Sequence, residues 1–310
     1  MQSRAESYHS KFGGPWYDSL DTQAVRAHIA GVQDPGTRER LEFFIRWGYV
    51  VLENAVSHYT IDKYLARYNA TPPEDIAMSV PFGPMRQAFK PEHALIPGAK
   101  VLDTAMLFPE GDSLSFSLPL SMFLQELFLE PALAFQSLHF EVGSTQALHQ
   151  DTAYVVVDQQ PLQMVASWIA LEDVQPGSGE LIYFAGGHRL PDFPYGGGAS
   201  KHFNLDRDGN EMHDAHLKYL VSESTHRGYE RRNFLPKKGD VLIWHADLPH
   251  GGGEITIPGV TRRSLVTHYC PAGLTPYYFR FLSPENQTKM MAPSGNYMAS
   301  MHYPVARFSR

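Results

Sequence analysis

Leu148-His149-Gln150-Asp151, answered far downstream by Pro249-His250-Gly251 and then by Arg262-Arg263-Ser264, is the sequence on which the fold turns. In an extended strand, side chains two apart share a face, so His149 and Asp151 offer an imidazole nitrogen and a carboxylate oxygen to one point. A third donor from His250 completes a two-histidine, one-carboxylate set that leaves the opposite coordination positions open, as expected of non-haem Fe(II) oxygenases. Bringing residue 149 beside residue 250 requires strands distant in sequence to lie together. A double-layered antiparallel jelly roll (a cupin-like double-stranded β-helix) does this, and its mouth is a concave site lined from several strands. Arg262 and Ser264 are again two apart. Facing inward, a guanidinium fork and a hydroxyl hold one carboxylate, which points to a dicarboxylic cosubstrate.

Working outward, apolar spacing predicts helices over Thr22 to Val32, Thr37 to Trp47, Tyr59 to Tyr68 and Leu118 to Leu129. Gly48 stops the second before a strand at Tyr49-Val50-Val51-Leu52. The poorly periodic segment between the last two of these helices, punctuated by Pro72, Pro73, Pro81, Pro84, Pro91 and Pro97, reads mostly as loop. From about Ala134 the pattern changes to short β-like runs: Ala134 to Val142, His149 to Val157, Met164 to Leu171, Leu181 to Ala185, Asp240 to Trp244 and Arg263 to Tyr269. Between His188 and Phe234 lies a long polar insertion with a helical stretch near His213 to Val221. Insertions of this kind are often lids or binding loops. The expectation is a single domain over residues 1–310, mainly β with flanking helices. It comprises a helical part to about 130, a jelly-roll core over about 134–283, and a lid-like insertion over about 189–235.

The hydrophobic content of 43% supplies material for one large core, and a net charge of −7 without a basic block argues against nucleic acid as the partner. The single cysteine, Cys270, excludes an intrachain disulfide and fits a reducing compartment. Met1 to Ser7 has no apolar leader, and no apolar run reaches the ~20 residues that span a bilayer. A soluble cytoplasmic protein acting on a small molecule is expected, with a homodimer contact open to the apolar N-terminal helices or to Tyr277 to Phe281.

His-x-Asp alone is a weak signal, and His245-Ala246-Asp247 repeats it close to His250. The first copy is preferred because Trp244 and His245 end a strand, which puts Asp247 in a loop out of register. Of the adjacent Arg262 and Arg263, one must face solvent, and register with Ser264 selects Arg262 as the inward one. On the run from Ala134, Gln136 shares a face with Leu138, Phe140 and Val142. If that face is inward, Gln136 needs a partner, either a cosubstrate carboxylate or a backbone carbonyl. The remaining histidines, His268 among them, read as surface or packing residues, and Lys201, Arg207, Arg231 and Arg232 as solvated charges of the insertion.

Taken together, Arg46-Trp47-Gly48-Tyr49-Val50-Val51-Leu52, Leu148-His149-Gln150-Asp151, Trp168-Ile169-Ala170-Leu171-Glu172-Asp173-Val174, Gly239-Asp240-Val241-Leu242-Ile243-Trp244, Pro249-His250-Gly251 and Arg262-Arg263-Ser264 give the chain its resemblance to the phytanoyl-CoA dioxygenase family of Fe(II)/2-oxoglutarate oxygenases. The resemblance implies that His149, Asp151 and His250 bind Fe(II). It also implies that Arg262, helped by Ser264, binds the distal carboxylate of 2-oxoglutarate, and that Trp168 lines the cosubstrate pocket. 2-Oxoglutarate and O2 would then be converted to succinate and CO2 while a C–H bond is oxidised. Hydroxylation is the default outcome, with desaturation, ring formation or rearrangement drawing on the same chemistry. Related halogenases have a small residue at the carboxylate position, so Asp151 disfavours halogenation. Gly186-Gly187 departs from the family's usual Pro-Gly-Ser turn, and the insertion after Arg189 prevents transfer of substrate contacts. The rivals are a cupin-like metal enzyme that needs no 2-oxoglutarate, and a silent jelly-roll module that keeps a metal without oxygenase activity.

Overall fold

The computed structural model describes residues 10–17, 22–81, 83, 86–158 and 160–303. Met1 to Ser7, where the sequence was read for an apolar leader, lies outside them.

Two helices lead into the sheet. The first, α1 (Gln23–Gly31), is capped by the Thr22 hydroxyl, and α2 (Pro35–Trp47) by the Asp34 carboxylate, with Pro35 pre-setting its first turn. Gly48 ends α2 at φ 76°. A Cβ there would meet the His188 ring at 2.4 Å, so glycine serves both the left-handed turn and the close approach. Strand β1 (Tyr49–Leu52) follows, then α3 (His58–Ala70), capped by Ser57.

The stretch read as loop contains three short strands, β2 (Ala77–Ser79), β3 (Gln87–Ala88) and β4 (Lys100–Leu102). Each is too short to display an alternating pattern, and β4 is held by pairing far along the chain, Val101 with His139 and Leu102 with Leu138. Helix α4 (Leu118–Phe128) precedes the core strands β5 (Ala132–Phe140), β6 (Val165–Ala170), β7 (Leu181–Ala185), β8 (Glu230–Phe234), β9 (Val241–His245), β10 (His250–Gly252) and β11 (Ser264–Pro271). The insertion holds α5 (Leu205–His226), longer than the sequence indicated and broken at Gly209. Strand β8 also falls inside the insertion. Its Glu-Arg-Arg-Asn-Phe sequence is that of a charged edge strand, which hides the apolar signal.

The main sheet runs β1-β9-β6-β11-β5-β4-β2-β3, and a smaller antiparallel sheet runs β10-β7-β8. Alternation along the large sheet separates two cores. Trp168, Leu242, Trp244, Phe140 and Val266 face the smaller sheet's Leu181, Tyr183 and Phe234, and form the jelly-roll interior. Val165, Ile169, Val241, Ile243 and Leu265 face outward and pack against Leu41, Phe44, Ile45, Ile61 and the apolar stripe of α4. The architecture is mainly β with flanking helices, as expected. Among the described residues no helix is long and apolar enough to cross a membrane.

One expected strand is absent. Residues 149–157 do not form a strand: His149 makes a single bridge to His250, and Asp151–Ala153 is a turn of 3-10 helix. The two-residue alternation that placed His149 and Asp151 on one face therefore holds for a different reason, given below.

Candidate active site

His250 begins the edge strand β10, and His149 pairs with it through reciprocal backbone hydrogen bonds of 2.8 and 2.9 Å. The glycines behind His250 permit this. A Cβ on Gly251 would stand 2.7 Å from the Gln146 carbonyl oxygen, and one on Gly252 would stand 2.6 Å from the Thr145 nitrogen. The segment leading to His149 thus lies directly on the β10 backbone. Asp151 then turns back toward both histidines because the chain enters a 3-10 turn.

His149, Asp151 and His250 are buried, and one ligand atom from each lies within 4.8 Å of the others. His149 Nε2 is 3.8 Å and His250 Nε2 is 3.6 Å from Asp151 Oδ1. Each imidazole is oriented by a backbone carbonyl: His149 Nδ1 donates to Ala147 O and His250 Nδ1 to Leu248 O, both at 2.9 Å. That fixes the tautomer and turns the Nε2 lone pairs toward the centre. The other carboxylate oxygen, Asp151 Oδ2, accepts a 2.7 Å hydrogen bond from Trp244 Nε1, and His268 Nε2 lies 3.5 Å from it. Oδ1 is left for a metal.

Electrostatics suit the same role. Burial, reinforced by His250, pushes His149 down to about 3, so the ring is neutral and its lone pair is available. Burial works against ionisation of Asp151, but His250, His268 and His149 outweigh it and hold the carboxyl well below its usual range. Two imidazole nitrogens and one anionic oxygen, with no fourth protein donor in the group among the described residues, are a fitting set for a divalent metal with open positions.

A cavity of about 630 Å³ opens over the triad. Arg262 lines it and is 2% exposed, whereas the neighbouring Arg263 is turned outward to Glu141 and Glu172. The Arg262 guanidinium stacks over Trp168 at 5.2 Å and Phe140 at 5.7 Å. Burial pulls it down to about 10, with Glu180 and Glu172 opposing, so it remains a cation at neutral pH. Among the described residues, its Nε and the hydroxyl of the fully buried Ser264 have no hydrogen-bond partner. Buried donors of this kind are costly unless something accepts from them, and a carboxylate is the matching acceptor. Gln136 and Trp168 line the same cavity, as do Lys100 and Arg86.

Four residues of the site were not singled out from the sequence. Trp244 could have been, since a buried indole N–H seeks a partner and Trp244 lies two residues after Leu242 on the inner face of β9. His268 continues the face of Ser264 and Val266 on β11, so the argument that selected Arg262 reaches it as well. Lys100 sits on a strand too short to read. Tyr154 lines the cavity with its ring edge-on to His149 at 5.7 Å, and lies just past the 3-10 turn, where no periodicity applies. The decoy Asp247 is turned away from the triad: it pairs with Lys201 at 2.7 Å and accepts from Thr152 at 2.5 Å. Lys201, expected to be solvated, is 6% exposed.

Comparison with known proteins gives a consistent picture. The family model described as phytanoyl-CoA dioxygenase (PhyH) matches residues 44–264. The peroxisomal phytanoyl-CoA dioxygenase of Bos taurus is 23% identical over 253 residues, covering 76% of this chain and 68% of its own. Among solved structures, the non-haem α-ketoglutarate-dependent carbocyclase SnoK from nogalamycin biosynthesis superposes with a TM-score of 0.60 at 17% identity, covering 89% of this chain and 97% of that one. The epimerase SnoN, in complex with Fe3+, α-ketoglutarate and nogalamycin RO, gives a TM-score of 0.58 at 18% identity over 78% and 87% of the two chains.

Proposed function

The chain belongs to the phytanoyl-CoA dioxygenase family, and from that premise we propose that it uses Fe(II), 2-oxoglutarate and O2 to oxidise an unactivated C–H bond of a small-molecule metabolite. Hydroxylation is the proposed outcome, with succinate and CO2 as co-products. The observation that carries this reading is the pairing, in one cavity, of a three-ligand cluster with a buried Arg262 whose Nε has no partner among the described residues. A metal enzyme that needed no dicarboxylate would have no use for the second feature, and a structural metal would be enclosed by a fourth protein ligand.

His149, Asp151 and His250 would hold the iron, their donor atoms fixed by Ala147 O, Leu248 O and the Trp244 N–H. Bound iron with 2-oxoglutarate and O2 supplies the oxidising power for the C–H bond. Arg262 offers its fork to the distal carboxylate of the cosubstrate, Ser264 adds a hydroxyl, and the Trp168 face keeps the guanidinium in plane. Gln136 presents an amide on the same wall. Leu138, Phe140, Leu181 and Val266 exclude water from the reacting end. The carboxylate at Asp151 occupies the position a halide would need, which supports oxygenation over halogenation. A natural-product type of metabolite and a cytoplasmic location complete the proposal, the latter fitting the lone, buried Cys270.

The test is anaerobic addition of Fe(II) and 2-oxoglutarate to the metal-free protein, followed by the weak visible charge-transfer band of the chelated keto acid. Its appearance in the native protein and loss in Arg262→Ala is the expected result. No band despite bound Fe(II) overturns the cosubstrate assignment. Once a substrate turns over, a product heavier by one oxygen marks hydroxylation, and one lighter by two hydrogens overturns that outcome in favour of desaturation.

A further inference from the structure

The insertion after Arg189, expected to be lid-like, is seated on the turn that carries Asp151. Each residue of the turn that carries Asp151, apart from Asp151 itself, is in contact with it. Gln150 Oε1 lies 3.4 Å from His216 Nε2. The Thr152 carbonyl accepts from His202 Nδ1 at 2.6 Å, the Ala153 carbonyl from the Phe203 N–H at 3.0 Å, and the Tyr154 hydroxyl lies 2.6 Å from His213 Nε2.

Beneath this contact lies a buried ion cluster. Lys201 places its ammonium 2.7 Å from both Asp192 and Asp247. Asp247 in turn accepts from the Thr152 hydroxyl through its side chain and from Gln150 Nε2, at 2.8 Å, through its carbonyl. The residues on both sides of Asp151 are therefore anchored to Asp247. Asp247 also immediately precedes Leu248, whose carbonyl orients His250. Lys201 thus sits where one charge supports the segments bearing two of the three candidate ligands.

We infer that the insertion is a positioning scaffold for the metal centre, with Lys201 as the residue through which it acts: an ammonium that touches no ligand sets the affinity of the site for its metal. The inference rests on the metal site proposed above. A carboxylate as deeply buried as Asp247 needs its counter-charge, because an uncompensated buried charge is strongly unfavourable. Without Lys201 it must draw in water or a proton. Either response disturbs the bonds to Gln150 and Thr152 that set the direction of Asp151.

The test is titration of the metal-free full-length protein with Co(II), reading affinity by calorimetry and coordination by the ligand-field spectrum. Failure of the native protein to bind Co(II) or Fe(II) would sink the metal site itself, which is a different result from failure of this inference. Given native binding, Lys201→Met is expected to weaken affinity about 10- to 100-fold, the usual range for partners one step removed from a ligand. Lys201→Arg, which keeps the charge, should restore most of it. Affinity in Lys201→Met within about twofold of native, or Lys201→Arg as weak as Lys201→Met, overturns the inference. Thr152→Val severs the clamp from the turn's side and leaves the ion cluster in place. Unchanged affinity there overturns the inference even if Lys201→Met does not fold.

Discussion

Arg262 and Asp151 face one cavity, yet one is held by a ladder and the other by side chains. Arg262 donates its N–H to the Glu141 carbonyl, and the next residue but one, Ser264, is paired on both sides, with Phe140 and with Ala170. Its direction follows from strand register, which no single side chain determines. Asp151 stands in a turn with no ladder. It is aimed by the Trp244 indole, by Gln150 and Thr152 on either side, and by a remote insertion. The contrast teaches that two groups lining one cavity can differ in how far away a mutation can reach them. The Asp151 end should be sensitive to residues that touch neither metal nor substrate, and the Arg262 end should not.

The largest effect should come from Asp151→Ala. With the carboxylate gone, metal affinity should fall by more than about a hundredfold, beyond what loss of an outer partner causes, and turnover should vanish. Full activity in that variant would break the site assignment and the comparison with it. Next is Arg262→Ala. Loss of a charge-assisted fork is worth about 1.5–3 kcal/mol, so the apparent affinity for 2-oxoglutarate should drop roughly 10- to 100-fold while Co(II) affinity stays native. If metal binding fell too, the two ends would not be independent. Smaller again is Trp244→Phe, which removes the N–H to Asp151 Oδ2 and keeps the packing. We expect about tenfold weaker metal binding with little change in the affinity for 2-oxoglutarate.

The same contrast governs what the sequence disclosed. Arg262 was selected over Arg263 by period alone and His250 as the donor completing the set, and both sit on or beside regular strands. His149 and Asp151 were picked out for a reason that does not apply, since no strand runs there. The spacing of two places them together because His149 is pinned to β10 and the chain then coils into a 3-10 turn. Nothing local announces that turn. It is specified by Lys201 and His202, about fifty residues further on, in a stretch whose polarity reads as solvated loop. Strands β2 to β4, and with them Lys100, were illegible because two or three residues carry no period. Helices α1 to α4, whose apolar stripes are local, were found to within a few residues, whereas α5 extends well beyond the stretch near His213 to Val221.

The smallest predicted effect examines the ladder end most sharply. The Glu141 side chain is on the outer face, bonded to His139 and Arg263, while its backbone carbonyl holds Arg262 on the inner one. Burial would raise its carboxyl, but the hydrogen bonds and charges of His139 and Arg263 prevail and bring it from 4.5 to about 2. A carboxyl depressed by folding stabilises the native state above its unfolded value and loses that contribution as pH falls through the folded one. The contribution is therefore complete at neutral pH and fades between about 4.5 and about 2. Glu141→Gln should lower the thermal midpoint at pH 7, and the gap from the native protein should close steadily across that window. Because Arg262 is bonded to the backbone of residue 141, whatever its side chain, the 2-oxoglutarate affinity of Glu141→Gln should remain within about twofold of native at pH 7. A loss approaching that of Arg262→Ala would mean that register alone does not aim the guanidinium, and that the ladder end depends on distant side chains just as the Asp151 turn does.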